Sequence, residues 1–336
     1  MTRNLDRRQF IAATGAVGLA GLAGCTGGDG EGEETTTEAG EGEGTTTTTD
    51  GGNGETRLSW HAGGTGGTYF PLSNEFKSVI EGQTDFTIQV QSTGASVENV
   101  GSLARGDADF ALIQNDVAYF ARNGEGIEAF QGSPVENLRG VATLYPETIH
   151  IVTLADTGVE KPADLEGKTI NTGDLGSGTQ VNAVQILEAL GISDYEQQNT
   201  GFSQASDQLK NGDIDAAFVV GGWPVGAIEE LAATEDVRIV PIEGDARQSV
   251  KDAAPFYADD EVPSGTYGLE NPAPTVSVQA MIATNAEQSE ATVEAVTEAI
   301  FANVDQLTIK TDFISKESAQ DGMSIELHPG AKAYFG

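Results

Sequence analysis

The chain has one cysteine, Cys25, so no disulfide can form within it. Its three histidines, His61, His150 and His328, stand far apart and in no ligand spacing, so no histidine metal site is expected. Basic residues are scarce, with 17 Lys+Arg against 52 Asp+Glu and a formal charge of −35 over 336 residues. Binding to nucleic acid needs clustered Lys/Arg to release counterions, and that partner is excluded. So acidic a surface also slows the approach of polyphosphates. No lysine follows either glycine-rich loop, which rules out a P-loop. The nucleophile pattern G-x-S-x-G is absent too, because Gly94-Ala95-Ser96-Val97-Glu98 departs from it at the last position. Carboxylates are too abundant for an acid/base pair to stand out. No catalytic group, cofactor or metal is therefore expected, and the chain reads as a non-enzyme.

Hydrophobic residues make up 38% of the chain, enough for a globular core. Strong acidity over a real core, with a pI near 4.1, suggests a surface kept hydrated in high salt. The first 56 residues stand apart from that core. Residues 1–25 read as an export leader: Arg7-Arg8-Gln9-Phe10 is a twin-arginine pattern, and Phe10 to Gly24 is apolar. That run falls short of the roughly 20 residues a spanning helix needs. It ends in Leu22-Ala23-Gly24-Cys25, which resembles a lipobox, so Cys25 is the expected lipidation site and mature N-terminus. Residues 26–56 hold ten Thr, ten Gly and nine acids, a tether with nothing to build a core from. Its Thr clusters fit O-linked sugar and plain solvated linker equally well.

From residue 57 onward, strand-like and helix-like runs alternate with short loops, the signature of parallel α/β sheets. Expected strands are Arg57–Ala62, Phe86–Gln91, Phe110–Gln114, Val141–Leu154, Thr169–Thr172, Phe218–Val220 and Val276–Ala283. Expected helices begin at Tyr69, after Ser96, at Gln180 and after Pro224, and a long one covers Ala291–Thr308. One stretch repeats. Leu103-Ala104-Arg105-Gly106-Asp107-Ala108-Asp109-Phe110-Ala111 and Leu209-Lys210-Asn211-Gly212-Asp213-Ile214-Asp215-Ala216-Ala217 both read L-x-x-G-D-x-D-x-A. Each Gly suits a left-handed helix C-cap. The repeat predicts two similar lobes, with its acids serving turns.

Three small-residue loops precede helices: Gly63 to Thr68, Thr93 to Ser96, and Gly173 to Thr179. A helix N-terminus offers free N–H groups and a positive dipole end, so each loop suits an anion, most naturally a carboxylate. Three such loops, drawn from both lobes, predict a site between them.

Several ordered segments resemble the TAXI family, the extracytoplasmic solute receptors of TRAP transporters. They are Gly64-Thr65-Gly66-Gly67-Thr68-Tyr69-Phe70-Pro71, Thr93-Gly94-Ala95-Ser96-Val97-Glu98-Asn99, Gln114-Asn115-Asp116-Val117-Ala118-Tyr119, Leu144-Tyr145-Pro146-Glu147, Gly176-Ser177-Gly178-Thr179, Pro255-Phe256-Tyr257, Gly265-Thr266-Tyr267 and Leu327-His328-Pro329-Gly330. The acidity resembles a haloarchaeal version. The resemblance implies a type II periplasmic-binding-protein fold, two α/β lobes joined by crossing strands near Tyr145–Val152 and Val276–Ala283. Lobe one would take 57–148 plus 283–336, and lobe two 149–282. It implies a glutamate, glutamine or dicarboxylate-like solute, handed to a TRAP permease outside the membrane. Carried over by position, the solute contacts would be Gly67, Thr68 and Tyr69; Thr93, Ala95 and Ser96; and Gln114 with Asp116, the latter able to accept from an ammonium. From lobe two would come Ser177, Gly178 and Thr179, Gly222 and Trp223, and Tyr257. Trp223 fits a pocket wall and plain core packing equally. Ala95 replaces the commoner Gly, and no Arg lies in these segments, so carboxylate binding would rest on N–H and hydroxyl groups. A receptor for an ABC importer on the same fold is the alternative. A secreted hydrolase and a surface structural protein fit less well.

Overall fold

The computed structural model describes residues 56–336, so the leader, Cys25 and nearly all of the tether lie outside the described residues. The first half runs β1 (Thr56–His61), α1 (Tyr69–Gln83), β2 (Phe86–Gln91), α2 (Ser96–Arg105), β3 (Phe110–Gln114), α3 (Asn115–Asn123) and β4 (Leu138–Leu154). Next come β5 (Thr169–Asn171), α4 (Gly178–Ala189), β6 (Glu196–Gln198), α5 (Phe202–Asn211), β7 (Ala216–Gly221), α6 (Gly226–Ala232), β8 (Val237–Ile239), α7 (Gly244–Ala253) and β9 (Ala258–Val262). The chain returns through β10 (Ala273–Asn285) and closes with α8 (Glu290–Phe301) and α9 (Pro329–Phe335).

The strands form one curled mixed sheet in the order β2-β1-β3-β10-β4-β7-β5-β6, with β8 on β4 and β9 on β10. At each end the strands are parallel, β2-β1-β3 and β7-β5-β6. Between them run β4 and β10, antiparallel to each other and to their neighbours. β4 has 17 residues, and it pairs with β10 through Thr148 and with β7 from Thr148 to Val152. It is buried along nearly its whole length, so that Thr143, Glu147, Thr148, His150 and Thr153 are enclosed together with its apolar residues. Pro146 stays in register opposite Gln279, and the ladder slips beside it, between Gln279 and Met281. The missing N–H is thus taken up by a bulge, and the strand continues.

The core divides at this passage. Two apolar clusters draw on residues 58–145 and 280–331, and two others on residues 149–278. Each half therefore has its own apolar packing, and the crossing strands tie the halves together. This is the expected α/β architecture of the two-lobed periplasmic-binding-protein type.

The repeated segment does the same work twice. Gly106 (φ 75°) and Gly212 (φ 73°) end α2 and α5 in left-handed caps. Asp109 then clips β1: its N–H donates to the Ser59 carbonyl (3.0 Å), and its Oδ2 accepts from the Ser59 N–H (2.7 Å). Asp215 clips β5 the same way at Thr169 (2.8 and 2.9 Å).

Some expectations need correction. The long final helix does not reach Thr308. It ends at Phe301, because the Asn303 side chain donates to the Ala299 carbonyl (2.8 Å) and competes with the helical ladder. Helices α3, α7 and α9 are additions to the expected set, and α5 is the helix that the Gly212 cap implied. α3 begins one residue after β3 with no Gly or Pro between, so no turn residue marks it.

Candidate functional site between the halves

The three glycine-rich loops converge. α1, α2 and α4 point their N-termini into one cleft of about 570 Å³, counted out to open solvent. Of the predicted residues, Gly67, Thr68, Tyr69, Thr93, Ala95, Ser96, Gln114, Ser177, Gly178 and Thr179 all line it. Asp116, Gly222, Trp223 and Tyr257 do not. Gly63, Gly64, Gly66, Gly94, Glu147, Asp174, Gly201, Phe202 and Val220 complete the wall.

The three helix ends are not equivalent. At α2 the Val97 and Glu98 N–H groups donate to the Gly176 carbonyl of the opposite half (3.0 and 3.2 Å). That terminus holds the halves together. At α1 the Tyr69 and Phe70 N–H groups have no partner among the described residues, and neither do Gly178 and Thr179 at α4. These two ends remain able to bind an anion.

Most of the nominated hydroxyls are already committed. Thr93 Oγ1 donates to Asn99 Oδ1 (2.7 Å) and accepts from the Ala95 N–H (3.1 Å). Ser96 Oγ accepts from the Gln114 N–H (3.1 Å), and Ser177 Oγ caps α4 at the Gln180 N–H (3.1 Å). Thr68 Oγ1 reaches across to the Gly222 carbonyl (3.2 Å). Thr179 is buried and lines the cleft, and its hydroxyl has no partner among the described residues.

Behind the wall runs a polar relay between the halves. Gln114 Nε2 donates to Asn182 Oδ1 (3.0 Å), and Asn182 Nδ2 donates to Asp116 Oδ2 (2.8 Å) and to the Tyr257 hydroxyl (3.2 Å). Asp116 and Tyr257 therefore act through Asn182 and do not face the cleft. Trp223 does not line the cleft either: its carbonyl accepts from the Lys310 ammonium, which also sits 5.4 Å from its ring centre. A Cβ on Gly178 would come within 1.6 Å of Gln114 Oε1, so any side chain there would have to displace Gln114 where the halves approach.

Sequence reasoning passes over Glu147. It stands on β4 at the passage between the halves, lines the cleft, and is 3% exposed. Burial pushes its carboxyl up to about 8; the nearby Tyr145 hydroxyl and Lys310 ammonium oppose the shift and Asp116 adds to it. Its Oε1, the Tyr69 and Tyr145 hydroxyls, and Gln114 Oε1 are all enclosed without a completed hydrogen bond. Burial raises Asp116 to about 6, against the pull of Asn182, and lowers Lys310 to about 8. The signal for Glu147 lies in its setting, an acid inside a 17-residue strand buried on both faces. Asn182 and Lys310 carry no such signal.

Two of the histidines are structural. His328 Nδ1 caps α9 at the Gly330 N–H (3.1 Å), and His150 Nδ1 pairs with the Val219 carbonyl (3.1 Å). His61 is buried in β1 away from the cleft wall. Among the described residues no group of three or more His, Cys, Asp and Glu is placed to hold a metal ion. Nor is any helix there long and apolar enough to cross a membrane.

Two halves, two crossing strands and one cleft lined by helix ends define the two-lobed solute-binding class. Residues 61–336 match the model of the NMT1-like family; the chain belongs to that family, which is of the periplasmic solute-binding type. Among solved structures, it is similar to a putative L-cystine ABC transporter from Listeria monocytogenes (13% identity, covering 79% of this chain and 98% of that one, TM-score 0.46). It is also similar to an ancestral arginine-binding protein bound to arginine (13%, 84% and 99%, 0.47). A third likeness is to the alkanesulfonate-binding protein from Xanthomonas axonopodis pv. citri bound to MOPS (14%, 84% and 84%, 0.45).

Proposed function

We propose that the protein is an extracytoplasmic solute receptor of the TAXI type that binds a small carboxylate-bearing solute and delivers it to a TRAP-type, ion-coupled permease. The observation that carries this reading is the pair of unpartnered helix ends, α1 from one half and α4 from the other, facing one cleft. Amides fixed at two helix ends supply donors and dipole without an Arg clamp. In this reading residues 57–148 and 283–336 form one lobe and 149–282 the other, with the second boundary drawn back to about residue 279 because Ala280, Met281 and Ile282 pack in the first half's core, and closure brings both helix ends onto one guest. Closure follows binding only if the solute gains contacts that the open form lacks. The chain's role is binding, with no chemistry performed on the solute.

Thr179 supplies the test. Its free hydroxyl stands beside the unpartnered amides of α4, and a hydrogen bond to a charged acceptor contributes about 1.5–3 kcal/mol. Thr179→Ala should weaken carboxylate binding about 10- to 150-fold in calorimetric titration at molar KCl. Unchanged affinity, or equal binding of a neutral amide analogue, would remove the helix-end mechanism. Lipid attachment at Cys25 keeps the receptor on the outer face of the membrane, with two acyl chains expected because one holds only marginally. Cys25→Ala should move the protein to the soluble fraction. Co-purification with an ATPase-driven permease in place of an ion-coupled one would transfer the receptor to an ABC importer.

A further inference from the structure

Direct bonds between the halves fall into two groups. One group flanks the cleft. Val97 and Glu98 donate their N–H groups to the Gly176 carbonyl, and the Ala227 N–H donates to the Gly66 carbonyl (3.1 Å). All three amides lie in the first turn of a helix, where the helix itself offers them no acceptor. Once the halves part, only water can receive them.

The other group is a seam, where α3 of the first half meets α4 and the Phe256–Tyr257 segment of the second. Asn182 of α4 is fully buried in it. Its Nδ2 donates to Asp116 and to the Tyr257 hydroxyl, and its Oδ1 accepts from Gln114. The Tyr257 hydroxyl in turn donates to Gln185 Oε1 (3.0 Å). An amide hydrogen bond to a carboxylate is of the strong kind. Apolar contacts cross at the same place. Val181 packs on the first half's cluster that holds Val100 and Val117. Phe256 meets the Tyr119 and Phe120 rings of α3, with centroids 5.0 and 5.7 Å away. Val181, Asn182, Phe256 and Tyr257 do not line the cleft. Their contacts across the seam are made by the protein alone, with no part left for a solute to supply.

We propose that this seam is a clasp, centred on Asn182, that shuts the cleft on the protein's own contacts, so that the closed form is the majority form before any solute enters. The solute then exchanges through brief openings, and its contacts add to a closure already favoured. The clasp goes beyond the solute-receptor reading; only its consequence for exchange rests on that reading. Asn182 is a positioning residue, since it touches no part of the cleft wall except Gln114.

The test is hydrogen exchange, resolved to single amides, on the full mature chain in molar KCl. The protein is first unfolded, dialysed and refolded to strip any solute. The Val97, Glu98 and Ala227 amides should exchange about 100-fold slower than unprotected ones, as for a closed form that outnumbers the open by about 100 to 1. Asn182→Ala should speed them about 10- to 100-fold. Phe256→Ala, which leaves the polar bonds in place, should speed them about 3- to 10-fold. The Ser59 and Thr169 amides, each bonded within one half, report the fold and should stay as in wild type. Stripped wild type in which Ser59 and Thr169 are protected while Val97, Glu98 and Ala227 are not would overturn the clasp, and that arm needs no variant to fold. If glutamate then restored the protection, the clasp alone would fall and the receptor reading would stand. An Asn182→Ala protein with all three amides as protected as in wild type would also overturn it.

Discussion

The two L-x-x-G-D-x-D-x-A segments do identical work as far as the second Asp and then part company. Each caps a helix with a left-handed Gly and clips the first strand of its half through a backbone and a carboxylate bond. After β3 the chain turns directly into α3, placing Gln114 and Asp116 side by side in the interior. After β7 it runs through Gly221-Gly222-Trp223-Pro224, which offers carbonyls to Thr68 and Lys310 of the other half. Two copies of one turn thus carry unlike cargo. The first segment delivers side chains to the site, and the second delivers backbone carbonyls that hold the other half. Turn chemistry can recur because it depends on a few φ values and one carboxylate. Site chemistry depends on the residues that each turn delivers to the end of its strand.

The sharpest break in this symmetry is Glu147, which has no counterpart in the second half. Its carboxyl would titrate at 4.5 unfolded and at about 8 folded. Between those values the folded state binds more protons, so stability falls as pH rises. Other buried groups bracket the window. Asp116, from 3.8 to about 6, acts in the same direction lower down. His150, lowered from 6.5 to about 4, withdraws stability as pH drops below 6.5. Lys310, lowered from 10.5 to about 8, returns stability above pH 8. Between pH 6.5 and 8 Glu147 acts almost alone, at about 1.4 kcal/mol per pH unit. Solute-free protein should lose about 2 kcal/mol across that window, and Glu147→Gln should be flat there. Chemical denaturation at a series of pH values reads it, and a flat wild-type profile would show that the carboxyl is not held neutral.

The shared clip gives the next largest effect. Asp109→Ala and Asp215→Ala each remove an ionised acceptor from a strand N–H, worth about 1.5–3 kcal/mol. The two losses should agree within about 1 kcal/mol if the halves are equivalent at this point. Asp107→Ala and Asp213→Ala are the controls. Among the described residues the Asp107 carboxylate pairs only with the exposed Arg105, and surface pairs contribute about 0–1 kcal/mol. A clip that matters in one half alone would mean that the repeat is a resemblance of sequence without equivalence of role.

Much of the framework is legible in the sequence because strand–loop–helix alternation and glycine caps are local. β2 and β3 fall on their expected residues, and ten nominated residues share one cleft. The illegible part depends on contacts across the chain. The α2 end looks like the other anion loops in sequence, yet its amides are taken by Gly176, 79 positions from Val97. Asp116 reads in sequence as a group facing the solute, but Asn182, 66 positions away, occupies it. Lys310 meets Trp223 only after the C-terminal segment folds back. Glu147 is one acid among 52 until the strand around it proves buried on both faces.

The smallest expected effect tests the backbone of the paired loops. Ala95 sits at φ 71°, ψ −140°, a region where an L side chain is strained. Gly176, in the facing loop, has φ 78° and open space where a Cβ would stand. The two positions pose the same question in opposite directions. Ala95→Gly relieves about 1–3 kcal/mol of strain, but it gives up about 0.5–1 kcal/mol of backbone entropy and the packing of a half-buried methyl. The net should be a gain of no more than about 1 kcal/mol. Gly176→Ala has strain to add and no clash, so it should lose about 1–2 kcal/mol. Its carbonyl must still reach Val97 and Glu98, so the same variant should also weaken solute binding. If Ala95→Gly destabilises instead, the methyl is holding the α2 loop against the first-half core, and its replacement of Gly is structural.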